Sequence, residues 1–128
     1  MANPLNSMSF GNLLGKTVTS IEKLDYDPSK KIYQDELLFH CEEGLTMSMT
    51  HWQDCCESVY LEDVVGDLDD LVGSPILQAE EVTEENFARE GLWTFYKLAT
   101  AKGYVTLRWY GESEYYSLAV NCSWSRTK

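Results

Sequence analysis

The sequence predicts an α+β fold: one domain of antiparallel strands with a central acidic helical segment between two groups of strands. Short runs rich in β-branched and aromatic residues, bounded by turn residues, occupy both ends of the chain. Between them, apolar residues recur at three- and four-residue intervals, which is the spacing of one helix face. We expect the domain to cover residues 13–122, with a flexible N-terminus at 1–12 and a C-terminal tail at 123–128.

The first group of strands is predicted at residues 17–24, 36–41 and 45–51. The run DYDPSKK at 25–31 is a turn between the first two strands, because Asp, Pro and Ser favour turn conformations. Glu42-Glu43-Gly44 joins the second strand to the third. Gly44 supplies the positive φ that a tight hairpin requires.

The helical segment is predicted from the apolar spacing of Leu61, Val64, Val65, Leu68, Leu71 and Val72. Acidic residues fall mainly on the opposite side of that helix. Gly73 suits its C-terminal end, and Pro75 closes the helical region.

The last third of the chain predicts further strands at 76–82, 92–101, 104–110 and 115–121, with a short helix or an acidic loop at 83–91. A turn at Lys102-Gly103 sets the register of the second and third of these strands. That register places Tyr96 beside Trp109, and Leu98 beside Leu107, on the core side.

The opposite face of the same strands holds a candidate ligand site. The register places Lys97 directly opposite Arg108, where like charges repel, so an anion should lie between them. A carboxylate of the acidic segment is the favoured candidate, because buried charges are generally paired. The alternative is a bound nucleotide signal, held by Lys97 and Arg108 and stacked on Phe95 and Tyr110.

The net charge of −11 arises in one stretch of the 128-residue chain. Between Asp54 and Glu90 there are twelve acidic residues and one basic residue, and the rest of the chain is balanced. Such a field repels nucleic acid and attracts basic surfaces. The predicted partner-binding residues are Glu62, Asp63, Asp67, Asp69 and Asp70. On a helix they would stand about 5–6 Å apart, comparable with the phosphates of a nucleic-acid strand, although a charged helix face that only serves solubility explains them equally.

A cluster of potential metal ligands lies at residues 51–57. Zinc prefers thiolate and imidazole ligands in a tetrahedral set of four. His51, Cys55 and Cys56 could supply part of a zinc site, completed by Cys41, His40 or Cys122. A strand-to-helix junction is the other interpretation, since Asp54 is a good N-cap and Glu57 follows three residues later as in a capping box.

Nothing in the sequence predicts an enzyme. It has no Gly-rich phosphate loop and no nucleophile elbow, and nothing raises the pKa of one paired carboxylate above that of its neighbour. No apolar run is long enough to span a bilayer, and no signal peptide is recognisable. We therefore expect a binding protein without membrane contact, and reduced cysteines.

Two motifs carry a family resemblance. The pattern HxxDCCExVxxED runs from His51 to Asp63, and GDLxDLxGxPI runs from Gly66 to Ile76; Trp93-Thr94-Phe95-Tyr96, Lys102-Gly103 and Arg108-Trp109-Tyr110-Gly111 follow. Over residues 13–120 the chain resembles a family of small, mostly uncharacterised phage and prophage proteins. The resemblance implies a viral origin and action in the host cell cytoplasm. Together with the acidic charge, it predicts an anti-CRISPR-like inhibitor that binds a basic surface of a host protein, such as a nuclease complex.

Overall fold

The computed structural model describes residues 2–4, 7–51, 58–86, 91–112 and 120–127. Within them the chain forms nine strands: β1 (Ala2–Pro4), β2 (Val18–Leu24), β3 (Glu36–Cys41), β4 (Leu45–Thr50), β5 (Ser58–Val65), β6 (Gln78–Asn86), β7 (Gly91–Thr100), β8 (Gly103–Glu112) and β9 (Asn121–Thr127). Short 3-10 turns lie at Phe10–Leu13, Pro28–Lys30, Glu42–Gly44 and Leu68–Leu71.

The strands form two antiparallel sheets. The first sheet has the order β1-β9-β4-β3-β2, and the second has the order β5-β8-β7-β6. The second sheet is built from one continuous stretch of chain, residues 58–112. The first sheet instead joins strands from the beginning of the chain to its last strand, because β9 pairs with both β1 and β4.

The predicted α+β class is wrong, because the protein is nearly all β and the described residues contain no α-helix. Residues 61–72 form the end of β5 and a 3-10 turn. In β5 the register against β8 shifts between Leu61 and Asp63, which inserts one extra residue. Leu61 and Val64 therefore both pack against the core, although they are three residues apart. The 3-10 turn then places Leu68 and Leu71 three residues apart. A bulged strand followed by a 3-10 turn therefore reproduced the spacing of a helix.

Most of the predicted strands are confirmed. β2, β3 and β4 match the predicted ranges within one residue, and Glu43 and Gly44 take positive φ angles of 66° and 73° in the turn between β3 and β4. β6, β7 and β8 are also present. Residues 83–86 extend β6, so that part of the predicted short helix or loop is wrong. The strand predicted at 115–121 falls mostly outside the described residues.

The predicted register of the last strands is wrong by two residues. Tyr96 lies opposite Leu107 rather than Trp109, because the turn is centred on Ala101-Lys102. A shift of two residues leaves every side chain on its predicted face. Tyr96, Leu98, Leu107 and Trp109 are therefore buried as expected.

The core lies between the two sheets. β3 and β4 bury alternate residues, which is the two-residue period of a strand with one face covered. Phe10 packs its ring edge against Tyr96, with 4.7 Å between ring centroids. Trp124 of β9 is buried, and its indole N–H donates to the Ser9 carbonyl at 2.7 Å. The chain before β2 thereby closes one end of the core.

Two ionisable groups meet inside this core. The Tyr96 hydroxyl and the Cys122 thiol are hydrogen-bonded across the sheets. Burial, together with the nearby charge of Glu81, raises the pKa of Cys122 from its ordinary value of 9.0 to about 12. Burial raises the pKa of Tyr96 as well. Cys41 and Cys122 are both free thiols, as the sequence predicted, and a raised pKa keeps them protonated and unreactive at neutral pH.

This arrangement predicts a loss of stability in alkali. The Cys122 thiol of the unfolded chain ionises near its ordinary pKa of 9.0, whereas the folded protein holds the proton until about 12. Above the lower value the unfolded state binds fewer protons, so the free energy of unfolding falls as the pH rises between these two values. Urea unfolding followed from about pH 8 to pH 11 should show this fall. The slope should be shallower in Cys122→Ala, and parallel curves for the two proteins would contradict the assignment.

Candidate functional site

The acidic stretch is divided between the two edges of the second sheet. Glu62 and Asp63 lie on β5, and Asp67, Asp69 and Asp70 follow in the adjoining 3-10 turn. The opposite edge, β6, carries Glu80, Glu81, Glu84 and Glu85. Since β8 and β7 lie between these edges, about 14 Å of sheet separates β5 from β6. The carboxylates therefore form two separate groups instead of one helix face.

Three of the five predicted partner-binding residues have structural roles. The Asp63 carboxylate accepts a hydrogen bond from the Arg108 guanidinium at 2.9 Å. The Asp67 carboxylate accepts from the Asp69 backbone N–H at 2.9 Å and caps the 3-10 turn. The Asp70 carbonyl accepts a hydrogen bond from the Thr100 hydroxyl.

The other two, Glu62 and Asp69, are exposed, and Glu62 lies beside the Tyr60 hydroxyl. Among the ion pairs of the described residues, Asp63–Arg108 is the one that joins the acidic stretch to a basic side chain. Within the described residues, the negative charge of this edge is therefore largely unpaired.

The candidate ligand residues lie on the outer face of the second sheet, but not in the predicted arrangement. Arg108 lies opposite Phe95, and Lys97 lies opposite Thr106 in a neighbouring row. The guanidinium carbon of Arg108 is 4.8 Å from the ring centroid of Trp93 and 5.9 Å from that of Phe95. Asp63 provides the anionic partner of Arg108. A carboxylate of the acidic stretch therefore does pair with Arg108, but the predicted position of that anion between Lys97 and Arg108 is wrong.

Trp93 joins Phe95, Arg108 and Tyr110 in one cluster on this face, and the sequence did not predict it. Its ring lies 4.6 Å from Tyr110 and is stacked with Phe95 at 5.8 Å between centroids. The alternation of β7 was the available signal, since Trp93 is two residues from Phe95 and shares its face. The rings and Arg108 contact one another, so a nucleotide would have to displace Asp63 from Arg108 or stack on the outside of the cluster.

A tyrosine-lined cleft lies beside β5. Tyr26, Tyr33 and Tyr60 line it together with Asp35, and its volume is about 380 Å³. One Asp35 oxygen accepts from the Tyr26 backbone N–H, and the other accepts from the Leu61 backbone N–H, both at 2.9 Å. Asp35 thus ties the loop after β2 to the outer edge of β5. Burial and the adjacent Glu62 carboxylate raise the pKa of Tyr60.

A second cleft of about 380 Å³ lies at the end of the first sheet. Lys16 and Arg126 line it together with Glu42 and Glu43. Because both signs of charge are present, the cleft does not select an anion or a cation.

Two of the proposed zinc ligands, Cys55 and Cys56, lie outside the described residues. His51 is described and is buried. His40 is engaged elsewhere, since Nε2 is 2.6 Å from Glu22 Oε1 and Nδ1 is 3.2 Å from the Thr46 hydroxyl. No group of three or more metal-ligating side chains occurs within the described part of the chain. A zinc site at His51, Cys55 and Cys56 stays a prediction.

Comparison with known families assigns the chain to a domain type. The model of a domain of unknown function, DUF7448, matches residues 11–122. The chain belongs to the DUF7448 family. The DUF7448 match includes every strand from β2 to β8, together with the start of β9. The family description names no activity and no source, so the viral origin and the host cytoplasm stay predictions.

No curated protein and no solved structure matches the chain. In the described residues, no helix has the length and apolar character needed to cross a membrane.

Proposed function

We propose that this protein is a non-enzymatic binding protein that contacts a basic surface of a partner protein through the β5 edge and the turn after it. The observation that carries the proposal is the uncompensated charge of this edge. Glu62 and Asp69 are exposed without a basic partner in the described structure, although Arg108 lies on the adjacent strand. An exposed charge of this kind speeds association with an oppositely charged surface and selects against other partners.

The partner that this charge fits best is a complex that binds nucleic acid, because such complexes expose basic channels for phosphates. We therefore propose inhibition of a host nucleic-acid-handling defence complex, of the anti-CRISPR kind, as the biological role. The helical phosphate spacing predicted from the sequence does not apply, since these carboxylates lie on a bulged strand and a turn. The proposal now depends on charge and exposure alone.

Charge reversal at Glu62 and Asp69 tests the proposal. These positions are chosen because the side chains of Asp63 and Asp67 also hold the fold together, and Asp70 is half-buried. The assay measures how strongly the protein inhibits target-DNA binding by purified, guide-RNA-loaded CRISPR nucleases. Glu62→Lys/Asp69→Lys should weaken inhibition about tenfold or more, and raising the salt concentration should weaken that of the unchanged protein.

The matched control is Glu42→Lys/Glu43→Lys, which changes the net charge equally in an exposed turn of the first sheet. It should inhibit almost as well as the unchanged protein. Equal losses in both variants would show a general charge effect and contradict a site at β5. Absence of inhibition by the unchanged protein would contradict the proposed role.

A further inference from the structure

In the described part of the chain the two sheets have four edge strands, and three of them have a feature that disfavours pairing with another strand. β1 is three residues long and ends in Pro4. β2 has a register shift after Val18, and Val18 itself is bridged by Val72. β5 is bulged, and the Asp35 carboxylate accepts a hydrogen bond from the outward-facing N–H of Leu61. Short strands, bulges and covered backbone groups are the usual protection of a sheet edge against unwanted pairing.

The fourth edge, β6, is neither short nor bulged, although the 3-10 turn at Phe10–Leu13 packs near it. Its nine residues pair with β7 in unbroken register from Gln78–Ala99 to Asn86–Gly91, and it contains no proline. No described strand lies on its other side. Residues 80–85 are all exposed. Because alternate residues of an edge strand direct their N–H and C=O groups away from the sheet, β6 offers a regular row of backbone donors and acceptors.

The side chains of β6 determine which strand could pair there. Glu80 and Glu84 lie on the outer face of the sheet on either side of Val82, which is 40% exposed. Glu81 and Glu85 alternate with them, and none of these four carboxylates forms an ion pair within the described structure. A second copy of β6 would place like charges opposite one another, which is unfavourable. A strand with basic residues at the facing positions would be attracted.

We propose that β6 is a docking edge that takes an extended, basic segment of a partner protein as an additional strand. Main-chain hydrogen bonds to the open edge would supply the pairing, as in other cases of strand addition. Lysine or arginine side chains opposite Glu80 and Glu84, with an apolar residue near Val82, would supply the selectivity. This edge is separate from the carboxylates of β5, so the inference stands without the proposed function.

A synthetic peptide tests the docking edge directly. The probe is a nine-residue peptide with lysine at positions 1, 5 and 9, valine at positions 3 and 7, and threonine elsewhere, so that lysines can face Glu80 and Glu84 while valine faces Val82. Its control carries the same charge but is N-methylated on the three central residues, which removes donors from both of its edges. The unmethylated peptide should slow amide exchange at alternate residues of β6. It should also bind about tenfold or more tightly than the methylated one, because only it can form the ladder.

Two protein variants complete the test. Glu80→Gln/Glu84→Gln should weaken peptide binding, whereas Glu42→Gln/Glu43→Gln, with the same change in net charge, should retain it. Equal affinity for both peptides would show simple charge attraction and overturn the proposal. It would also be overturned by exchange protection that maps to β5 instead of β6, or by failure of the unmethylated peptide to bind. None of these results depends on inhibition of a nuclease, so failure here is distinguishable from failure of the proposed function.

Discussion

Replacement of Trp109 by alanine is expected to lower the free energy of unfolding by about 3–5 kcal/mol. Trp109 lies on the inner strand β8, between Thr94 of β7 and Leu61 of β5, and it is 1% exposed. Truncation would remove the largest fully buried side chain among the described residues and leave a cavity between the sheets. Since domains are stable by only about 5–15 kcal/mol, urea unfolding should show a large fall in the midpoint.

Trp109→Phe is the informative control for that experiment. The indole nitrogen of Trp109 is buried and has no hydrogen-bond partner among the residues that the structure describes. Phenylalanine also leaves a cavity, but it removes this unpaired donor and its desolvation cost of about 1–3 kcal/mol. We therefore expect Trp109→Phe to lose less than half of what Trp109→Ala loses. A phenylalanine variant as unstable as the alanine variant would mean that the indole N–H contributes to stability.

Gly66→Ala is expected to cost about 3 kcal/mol, although it adds a single methyl group. Gly66 has a φ of +107°, a conformation that residues with a side chain rarely adopt. A Cβ at this position would lie 2.5 Å from the Tyr104 carbonyl oxygen and 3.3 Å from the Val105 Cα, both atoms of the β8 backbone. Because backbone cannot rotate away as a side chain can, the connection from β5 to the acidic turn would have to shift.

Gly11→Ala is the matched control for Gly66. A Cβ at Gly11 would meet nothing within 4 Å. We expect its free energy of unfolding to stay within about 0.5 kcal/mol of that of the unchanged protein, as for ordinary surface substitutions. Thermal or urea unfolding of the two variants side by side would measure the difference. Similar losses for both glycines would contradict a special role for the Gly66 conformation.

The strands could be predicted from the sequence where one face is buried and the other is exposed to solvent. In β3, Leu37, Phe39 and Cys41 alternate with less buried residues, so the two-residue period is visible in the sequence. In β5 the bulge breaks that period. Leu61 and Val64 are then three residues apart, and the local pattern indicates a helix. Pairing with β8 decides the conformation, and local spacing does not report that pairing.

The candidate site could be predicted only in part. The acidic positions can be located from composition. The sequence also favours a carboxylate of the acidic segment between Lys97 and Arg108, and among the described residues only Arg108 has such a partner. That the partner is Asp63 follows from the register of β5 against β8, which sequence alone does not fix. The cleft of Tyr26, Tyr33 and Tyr60 was missed, because two of these tyrosines lie outside the strands and only the Asp35 bridge brings them beside β5.

The division of the sheets along the chain has a consequence for synthesis of the protein. The second sheet is complete once residue 112 has left the ribosome, whereas the first sheet must wait for β9 to fill the gap between β1 and β4. Until then the edge of β4 that pairs with β9 lacks its neighbouring strand. Closing so distant a contact is slow compared with forming a hairpin. We therefore expect the nascent chain to pass through a half-assembled stage, exposed to aggregation, until β9 pairs with β4.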